Sequence, residues 1–485
     1  MMLNDLLDAL DEKTITGRQD VRVRRVTHDS RLIEPGDVFV AIREPSGHDG
    51  HVYIPAAVER GAVAVVQERP TCVPAVTTVV VPDSNRALAL LADRVYGHPA
   101  RALTLVGITG TNGKTTVTHL VESILRAHGQ STGLIGTLGY RLNGSALPMD
   151  YTHTTPYPTQ LQALLRMIAD RGGRYAVMEV SSHALALNRV YGLQFQVAAL
   201  TNLTRDHLDF HRTFEAYRMA KLRLFHEFLS PDGTAVINRD DPSSASFIAE
   251  AAGTALTYGF DRTAEVSVDG TVEVTPRGTV LPVRTPDGTW RVHLRLLGRF
   301  NVLNALAALG VGLTLRLPHA AIVAGLEAVE TIPGRLERVD CGQPFTVVVD
   351  YAHTPDALRA LLAVVREWTA GRLIAVFGCG GDRDRGKRPE MGAIASRTAD
   401  LVIITSDNPR SEDPGVIIRE IERGVEPSAR CRSIVDRREA IAEALSLARD
   451  GDTVVIAGKG HEPYQDIGSE RIHFDDRDVV RDLLS

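Results

Sequence analysis

The chain has 485 residues, of which 44% are hydrophobic and 24% are charged, and its net charge is −6 at pH 7. This length predicts roughly three domains, and the acidic charge argues against a nucleic-acid or anionic-membrane binder. No apolar stretch approaches the ~18 residues of a membrane span, and the acidic start MMLNDLLDALDEK is unlike a signal peptide.

The four cysteines lie far apart in the sequence, at Cys72, Cys341, Cys379 and Cys431. This spacing forms neither a C-x-x-C zinc signature nor a disulfide framework, and it favours a reducing compartment. We therefore expect a cytoplasmic enzyme that has no nucleic-acid partner and does not insert into a membrane.

Short β-branched runs alternate with helical patterns and Gly-rich turns along most of the chain, which is typical of parallel α/β sheets. In the first segment the runs DVFVAI, AVAVV and TTVVVP predict strands, and an Ala/Leu-rich helix then ends near YGHPAR. A new strand begins at TLVGI, and a later helical stretch is interrupted by Pro333 and Gly334. The predicted domains are therefore residues 1–101, 102–332 and 333–485.

The second segment opens with TLVGITGTNGKTT at residues 104–116, a strand that runs into a Gly-rich loop and then a helix. Glycines let backbone N–H groups turn toward phosphate oxygens, and the helix N-terminus adds partial positive charge. Lys114 would reach the β- and γ-phosphates, and the Thr115 hydroxyl would bind Mg²⁺. Ile108 stands where the strict phosphate-loop pattern has its first glycine. The stretch predicts a site for a nucleoside triphosphate, formed by Gly110, Thr111, Asn112, Gly113, Lys114, Thr115 and Thr116.

Two later strands of this segment also end in polar residues. Glu179 ends the apolar run YAVME, where a carboxylate can hold Mg²⁺ directly or through water. His207 and Asp209 follow the strand AAL and would lie near the phosphates if these strands are neighbours. The alternative for His207 is a loop histidine with its own hydrogen-bond partners.

The stretch TFEAYRMAKLRLFHEFL predicts an amphipathic helix that Thr213 caps. Lys221 falls on its apolar face, where an unpaired ammonium is unfavourable. Two explanations stay open: the side chain extends to the surface, or the lysine is modified or bound to a ligand beside the nucleotide. The predicted apolar face comprises Phe214, Tyr217, Leu224, Phe225 and Phe228.

Residues 254–297 are predicted to form an antiparallel insert, in which VSVDGTVEV is a strand, an Asp-Gly turn and a second strand. The third segment then repeats an apolar strand followed by a polar loop: TVVVDYAHTP, LIAVFGCGGDRD, LVIITSDNPR and TVVIAGKGHE. Ligands bind beyond the carboxyl ends of the strands in such sheets. These loops therefore predict a binding site.

The motifs GTNGKTT, HTTP, MEVSSH, TNLTRDHLDFH, GRFNVLN, PGRLE, DYAHTP, GGDRDRGKRP, DNPR and AGKGHE, with the AK at residues 220–221, resemble those of the Mur ligases. They occur in the same order over almost the whole chain. The resemblance implies an α/β protein of three domains: a uridine-nucleotide-binding domain, a central P-loop ATPase domain and a mobile, Rossmann-like C-terminal domain.

The resemblance also implies an ATP- and Mg²⁺-dependent, ADP-forming amide ligase of peptidoglycan synthesis that works through an acyl phosphate. Family members with DNPR add meso-diaminopimelate to UDP-N-acetylmuramoyl-L-alanyl-D-glutamate. A guanidinium can hold a carboxylate through two parallel hydrogen bonds, and diaminopimelate differs from lysine by one carboxylate. Arg410 is therefore expected to favour diaminopimelate. The expected partners are these small molecules, and we expect a monomer.

The resemblance assigns roles to individual residues. Lys221 matches the family lysine that carries a carbamate (N6-carboxylysine), which would face a second Mg²⁺. The expected catalytic set is Lys114, Glu179, His207 and Lys221, and the expected metal ligands are Thr115, Glu179, His207 and Lys221. Further ATP contacts are expected from Asn301, Arg335, Asp350 and His353. The nucleotide-sugar acceptor is expected at Ser30, Thr154, Thr155, Ser181 and Arg189. The amino acid is expected at Arg383, Asp407, Asn408, Pro409, Arg410, Gly458 and Glu462.

Two positions depart from the family pattern: Leu187 replaces a glutamine, and Tyr157-Pro158 follows HTTP. Three alternatives to the diaminopimelate ligase stay open. They are a lysine-adding ligase of the same family, a folylpolyglutamate synthase, which the Asp29-Ser30-Arg31 motif argues against, and a catalytically silent P-loop regulator or binding protein.

Overall fold

We describe the protein from a computed structural model, which gives residues 1–45, 47–70, 76–151, 153–275 and 278–485. Cys72 lies outside the described residues. The predicted α/β class with three units is confirmed, because three separate sheets with covering helices follow one another along the chain. The boundaries at residues 101 and 332 stay predictions.

The first sheet is formed by β1 Thr14–Thr16, β2 Val26–Thr27, β3 Val38–Val40, β4 Ala64–Gln67 and β5 Thr77–Val80, in the order β1-β5-β4-β3-β2. Its neighbouring strands are parallel except for β1, which runs antiparallel to β5. Helices α1 Leu3–Leu7, α2 Ile54–Glu59 and α3 Ser84–Val95 pack their apolar residues against it. The three predicted strands and the helix after them are confirmed.

The second sheet begins with a parallel core. It contains β6 Thr104–Thr109, β7 Thr132–Gly136, β10 Tyr175–Glu179, β11 Phe195–Leu200, β12 Leu229–Asn238 and β13 Thr254–Gly259. Strand β6 lies between β10 and β11. The loops after these three strands therefore meet at one edge of the sheet. An antiparallel extension beyond β7 consists of β8 Gly139–Leu142 and β9 Ser145–Ala146.

Helices cover both faces of this sheet. They are α4 Lys114–Ala127, α5 Pro158–Asp170, α6 Ser182–Ala186, α7 Leu208–His211, α8 Phe214–His226, α9 Ser244–Ala249, α10 Arg299–Thr314 and α11 His319–Glu327. The predicted cap of α8 is confirmed, because the Thr213 hydroxyl accepts a hydrogen bond from the Ala216 N–H at 3.1 Å. Its predicted apolar face is buried except for Phe214, which is 41% exposed because it occupies the first, outward turn.

The predicted hairpin in VSVDGTVEV is wrong. Strands β14 Val266–Val268 and β15 Glu273–Thr275 do not pair with each other, because β16 Gly278–Thr285 lies between them and pairs with both. The long β16 also forms a hairpin with β17 Gly288–Leu294. The predicted antiparallel character of the insert holds for these strands but not for β13, which is parallel to β12 and β14.

The third sheet is formed by β18 Glu337–Arg338, β19 Thr346–Asp350, β20 Leu373–Phe377, β21 Leu401–Ile404, β22 Cys431–Ser433 and β23 Thr453–Ala457, in the order β18-β19-β23-β20-β21-β22. All neighbours except β18 and β19 are parallel. Helices α12 Pro355–Trp368, α13 Lys387–Thr398, α14 Pro414–Glu422, α15 Arg437–Leu447 and α16 Asp476–Leu484 cover it, and a hairpin of β24 Tyr464–Ile467 and β25 Glu470–His473 stands beside it. The four predicted strand-loop units are adjacent, which brings their loops together.

No helix in the described ranges combines the length and apolarity that a membrane crossing needs.

Candidate active site

The Gly-rich loop connects β6 to α4 and has the shape of a phosphate-binding loop. Gly113 has φ 87°, in the left-handed region, and immediately precedes α4. A Cβ atom on Gly113 would lie 2.3 Å from Asn304 Oδ1, so glycine is needed both for the turn and for this approach. Ile108 is buried within β6. Position 108, where the strict phosphate-loop pattern has its first glycine, is therefore a buried strand residue in this chain.

Residues that follow β11 hold this loop in place. The Asn202 side chain accepts a hydrogen bond from Asn112 N–H at 2.9 Å and donates one to Asn112 C=O at 3.0 Å. The Thr201 hydroxyl also donates to Asn112 C=O, at 2.6 Å. The Thr111 hydroxyl lies 3.0 Å from the Tyr217 hydroxyl on α8. The loop is therefore shaped before any nucleotide arrives.

Two lysine side-chain nitrogens meet at one carbonyl oxygen of this loop. Lys114 Nζ donates to Gly110 C=O at 2.9 Å and to Thr111 C=O at 2.8 Å, and Lys221 Nζ donates to the same Gly110 oxygen at 2.7 Å. Lys221 is 1% exposed, so its side chain does not extend to the surface. Burial lowers the pKa of Lys221 well below its ordinary value, and the charge of Lys114 lowers it further. Within the described residues neither lysine forms an ion pair, although the charge of Asp206 acts on both of them and raises the pKa of each.

Glu179 lies at the end of β10, directly beside the loop. Its carboxylate accepts hydrogen bonds from the Thr115 hydroxyl at 3.1 Å, from Thr137 N–H at 2.8 Å and from the Thr137 hydroxyl at 3.1 Å. The predicted neighbours Thr115 and Glu179 are therefore in contact. Within the described residues, no group of three or more His, Cys, Asp or Glu side chains could hold a metal ion. Mg²⁺ in proteins usually takes one or two carboxylates and completes its shell with waters and substrate phosphates, so Glu179 and the Thr115 hydroxyl are the candidate ligands here.

His207 lies on the loop after β11, and its Nε2 is 3.3 Å from Asp206 Oδ2. Burial lowers the pKa of His207, and Asp206 opposes that shift. Burial alone would raise the pKa of Asp206, but the charges of His207, His353 and Lys387 bring it to about 2. An ionised carboxylate therefore lies where the central and C-terminal parts meet. Asp209 is exposed.

The C-terminal part reaches the loop through Arg335. Its Nη2 donates to the Thr115 hydroxyl at 3.1 Å, and its guanidinium carbon lies 4.5 Å from the centre of the Tyr351 ring. Asp350 is buried and accepts backbone hydrogen bonds from Leu336 at 2.6 Å and Ala352 at 2.8 Å. Its carboxylate therefore fixes the turn that presents Arg335.

The two other predicted ATP residues lie in different surroundings. His353 Nδ1 is 2.8 Å from Tyr351 C=O, and burial lowers the pKa of His353 to about 4. Asn301 lies on α10, donates to Leu297 C=O at 2.8 Å and accepts from Asn304 Nδ2 at 3.0 Å. Asn304 in turn lies against Gly113. Asn301 therefore supports the loop through its neighbour.

A large cleft separates the N-terminal part from the central part. It has a volume of about 1060 Å³, and Ser30 lines it together with His28, Glu44 and Tyr53 from the N-terminal part and His153 and Tyr157 from the central part. Ser30 begins a short 3₁₀ turn that the Asp29 side chain caps. This volume is large enough for an extended nucleotide-sugar.

The remaining predicted acceptor residues connect this region to Glu179. The Thr155 hydroxyl donates to Glu179 C=O at 2.8 Å and accepts from Ser181 N–H at 3.0 Å, and Arg189 Nη1 donates to Thr155 C=O at 3.0 Å. The Thr154 hydroxyl lies 3.1 Å from the Thr137 hydroxyl. Leu187, which replaces the expected glutamine, is buried at the end of α6. All four predicted residues therefore belong to one connected group.

The DNPR loop follows β21 and adjoins a second cavity of about 430 Å³, which Arg410, Asp382, Ser411 and Asp466 line. Arg410 has φ 51°, and its Nη1 donates to Gly381 C=O at 2.8 Å. A Cβ atom on Gly380 would lie 3.0 Å from Arg410 Nη1 and 3.9 Å from Arg383 Cγ, so both arginines lie against the loop after β20.

Glu462 lies in the loop after β23, next to the DNPR loop. Its carboxylate accepts hydrogen bonds from Asn408 Nδ2 at 2.9 Å and Lys459 Nζ at 3.3 Å. Burial raises the pKa of Glu462. Gly458 has φ 118°, and a Cβ atom on it would lie 2.4 Å from Asp407 Oδ2. The predicted residues of the two loops are therefore packed together, with Pro409 buried between Asn408 and Arg410.

Sequence reasoning missed several residues of this site. Asn202 lies in the motif TNLTRDHLDFH and Asn304 in the motif GRFNVLN. A polar amide next to an apolar run was the sequence feature that could have indicated a role for each of them. Lys459 lies between Gly458 and Glu462 and is fully buried. Thr137 lies in an ordinary turn and carries no sequence signal.

Three family models match most of the chain. Residues 22–97 match the model of the Mur ligase family, catalytic domain, residues 108–312 match the Mur ligase middle domain, and residues 334–460 match the Mur ligase, glutamate ligase domain.

Two curated relatives carry the name UDP-N-acetylmuramoyl-L-alanyl-D-glutamate–2,6-diaminopimelate ligase. The protein from Geobacter metallireducens is 45% identical over 99% of this chain and 98% of its own length. The protein from Geobacillus thermodenitrificans is 47% identical over 93% of each chain. A solved structure of a ligase with the same name is 35% identical and has a TM-score of 0.69 over 100% of this chain and 99% of its own.

Proposed function

The chain belongs to the Mur ligase family, and we propose that it joins meso-diaminopimelate to UDP-N-acetylmuramoyl-L-alanyl-D-glutamate at the expense of ATP. It is an ATP-dependent ligase that forms an amide bond. The observation that carries the choice of amino acid is the placement of Arg410 at a cavity, while Asn408 of the same loop donates a hydrogen bond to Glu462 of the loop after β23. The Arg410 guanidinium suits a carboxylate and the Glu462 carboxylate suits an ammonium. The distal centre of diaminopimelate carries both of these groups.

The reaction needs two steps, because a carboxylate has no leaving group that an amine can displace at neutral pH. In the first step, an oxygen of the D-glutamyl γ-carboxylate attacks the γ-phosphorus of ATP, the bond to the β-phosphate oxygen breaks, and ADP leaves. In the second step, the neutral amine of diaminopimelate attacks the acyl phosphate carbon, inorganic phosphate leaves, and the amine loses a proton. The products are the amide, ADP and phosphate.

The chain contributes charge and position to the first step, in which two anions approach each other. Lys114 and the N–H groups between Gly110 and Thr115 offset the phosphate charge, and the helix N-terminus of α4 adds to them. Thr115, Glu179 and His207 would hold Mg²⁺, which supplies further charge compensation at the phosphates. The Arg335 guanidinium donates a hydrogen bond to the Thr115 hydroxyl and so adds a further positive charge at this place. The fixed loop around Asn112 keeps these groups in place while charge moves.

Lys221 is proposed to carry a carbamate. Only a neutral amine reacts with CO₂, and burial beside Lys114 lowers the pKa of Lys221 and so favours that neutral form. The reaction of the neutral amine forms an N–C bond and releases one proton, and it gives the Lys114 ammonium an anionic partner beside Gly110. The carbamate would then face Lys114 and a second Mg²⁺.

The second candidate for the amino acid, lysine, lacks the carboxylate that Arg410 would hold. The decisive experiment supplies the purified protein with the UDP-linked dipeptide, ATP and an equimolar mixture of meso-diaminopimelate and L-lysine, and records the product by mass spectrometry. We expect the diaminopimelate product, with ADP formed in equal amount. A lysine product would overturn the choice of amino acid, and ATP hydrolysis without an amide would overturn the ligase assignment.

We place the reaction in the cytoplasm, where ATP and nucleotide-sugars are made, and the partners are small molecules. The monomeric state stays a prediction.

A further inference from the structure

Tyr157 occupies the junction between the N-terminal and central parts. It lines the cleft of about 1060 Å³ on the central side, yet its ring also packs against the apolar core of the N-terminal part. The Tyr157 hydroxyl donates a hydrogen bond to Glu44 Oε1 of the N-terminal part. The residue therefore belongs to both parts at once.

The local sequence fixes the direction of this side chain. Tyr157 is the N-cap of α5, with φ −63° and ψ 155°, and Pro158 is the first residue of the helix. A proline holds the preceding residue in the extended region and also favours a helix start. The Tyr157-Pro158 pair, which departs from the family pattern, thus aims an aromatic ring at the N-terminal part from a rigid helix end.

The ring of Tyr157 contacts two groups that carry unsatisfied nitrogen atoms. The guanidinium carbon of Arg189 lies 3.9 Å from the ring centre, and the His28 ring centre lies 4.4 Å away with an angle of 30° between the ring planes. Arg189 Nε and His28 Nδ1 are buried and have no hydrogen-bond partner within the described part of the chain. Buried polar groups of this kind are normally paired, so both nitrogens point to a ligand that completes them.

Arg189 also leads from Tyr157 toward the phosphate loop. It donates to Thr155 C=O at 3.0 Å, and the Thr155 hydroxyl donates to Glu179 C=O at 2.8 Å. A continuous series of contacts therefore runs from Glu44 through Tyr157, Arg189 and Thr155 to Glu179. The acceptor must span the same distance from the cleft to the phosphate loop, because its uridine group and its reacting carboxylate lie at opposite ends of the acceptor molecule.

We propose that Tyr157 is a positioning residue for the nucleotide-sugar acceptor. Tyr157 contacts Glu44 and His28 on one side and Arg189 on the other, and it thereby sets the distance between the Ser30 end of the cleft and Arg189. The inference rests on the proposed function, since it takes the acceptor to be the UDP-linked dipeptide. Tyr157 acts through Arg189 and the orientation of the two parts. Its removal should weaken binding of the whole acceptor without weakening binding of its UDP portion.

The test measures the KM of each substrate for Tyr157→Leu, Tyr157→Phe and the control Tyr191→Leu. Tyr191 is a matched control because Arg86 of α3 stacks on its ring at 4.3 Å, so it joins the same two parts, but it lies outside the lining of the cleft. We expect Tyr157→Leu to raise the KM for the acceptor about tenfold, which lies between the size of an exposed and that of a fully desolvated cation–π contact. The KM values for ATP and diaminopimelate should stay within about twofold. Tyr157→Phe keeps the ring and should raise the acceptor KM only about threefold.

Inhibition by UDP alone separates positioning from damage to the uridine end. The inhibition constant of UDP should be the same for the wild-type protein and Tyr157→Leu, and Tyr191→Leu should leave the acceptor KM unchanged. An equal rise of all three KM values, a loss of UDP inhibition as large as the rise in acceptor KM, or an equal effect of Tyr191→Leu would overturn the proposal.

A direct binding experiment keeps this inference separate from the proposed function. If the wild-type protein formed no amide from the three substrates, the proposed function would fail. Calorimetric titration of wild-type and Tyr157→Leu proteins with the UDP-linked dipeptide would still measure the role of Tyr157. Binding about tenfold weaker in the variant would support it, and equal binding would overturn it.

Discussion

Replacement of Arg410 by alanine tests the basis of amino-acid selection. One N–H of the Arg410 guanidinium is used by Gly381 C=O, at 2.8 Å, and the side chain lines the cavity beside the DNPR loop. The remaining donors would hold the distal carboxylate of diaminopimelate. Loss of charge-assisted hydrogen bonds from a partly buried site costs about 2–4 kcal/mol. That corresponds to a rise of about 30- to 1000-fold in the KM for diaminopimelate.

The assay is steady-state release of ADP with each substrate varied in turn. The KM values for ATP and for the UDP-linked dipeptide should stay within about twofold, because the contacts described for Arg410 lie within the C-terminal part and include no residue of the phosphate loop. Arg471→Ala is the matched control, since Arg471 lines the same cavity but is paired with Asp466 at 2.7 Å and stacks on Tyr464 at 3.8 Å. It should change the KM for diaminopimelate by less than about fivefold. Equal effects of Arg410→Ala on ATP and on diaminopimelate would remove Arg410 from the amino-acid pocket.

Three further predictions concern other parts of the site. Lys221→Ala should lower kcat about 100- to 1000-fold, and short carboxylic acids should restore part of it by supplying the missing anion; full activity without added acid would exclude the carbamate. Burial raises the pKa of Glu462 above its ordinary 4.5, so this carboxylate becomes neutral at a higher pH than usual and kcat/KM for diaminopimelate should fall on the acid side before kcat/KM for ATP does; parallel pH profiles would contradict this. Gly113→Ala would place a Cβ atom 2.3 Å from Asn304 Oδ1 at a residue with φ 87°, and it should raise the KM for ATP. Gly129→Ala is the control, because Gly129 has φ 70° and open space around it; this substitution should lower the free energy of unfolding by about 1 kcal/mol and leave the KM for ATP unchanged.

Much of the architecture could be predicted from the sequence, because it depends on local patterns. The four strand-loop units of the C-terminal part were predictable from apolar runs that end in Gly and Asp, and the structure places their strands side by side. The start of α8 was predictable from Thr213, whose hydroxyl caps the helix. The inward position of Lys221 followed from helical periodicity. Each of these features is decided by residues that are close in sequence.

The errors and omissions concern pairings and contacts that the local sequence does not determine. The hairpin in VSVDGTVEV failed because β16 offers pairing partners to both β14 and β15, and the Asp-Gly turn alone could not indicate this competition. Asn202 lies 90 residues from the Asn112 backbone that it holds, and Tyr157 lies 113 residues from Glu44. Such contacts depend on how the sheets and parts are arranged, and short motifs contain no information on that arrangement.

The hydroxyl of Thr115 shows how the separate motifs act as one site. It donates to Glu179 Oε2 at 3.1 Å and accepts from Arg335 Nη2 at 3.1 Å. Arg335 precedes the third sheet, so the C-terminal part touches the same oxygen that the phosphate-loop pattern assigns to Mg²⁺. When a cation takes that oxygen, the Arg335 N–H needs another acceptor, and a nucleotide phosphate is one of matching charge. We therefore expect the phosphate donor to change this contact between the central and C-terminal parts, and the C-terminal part carries the loops for the incoming amine.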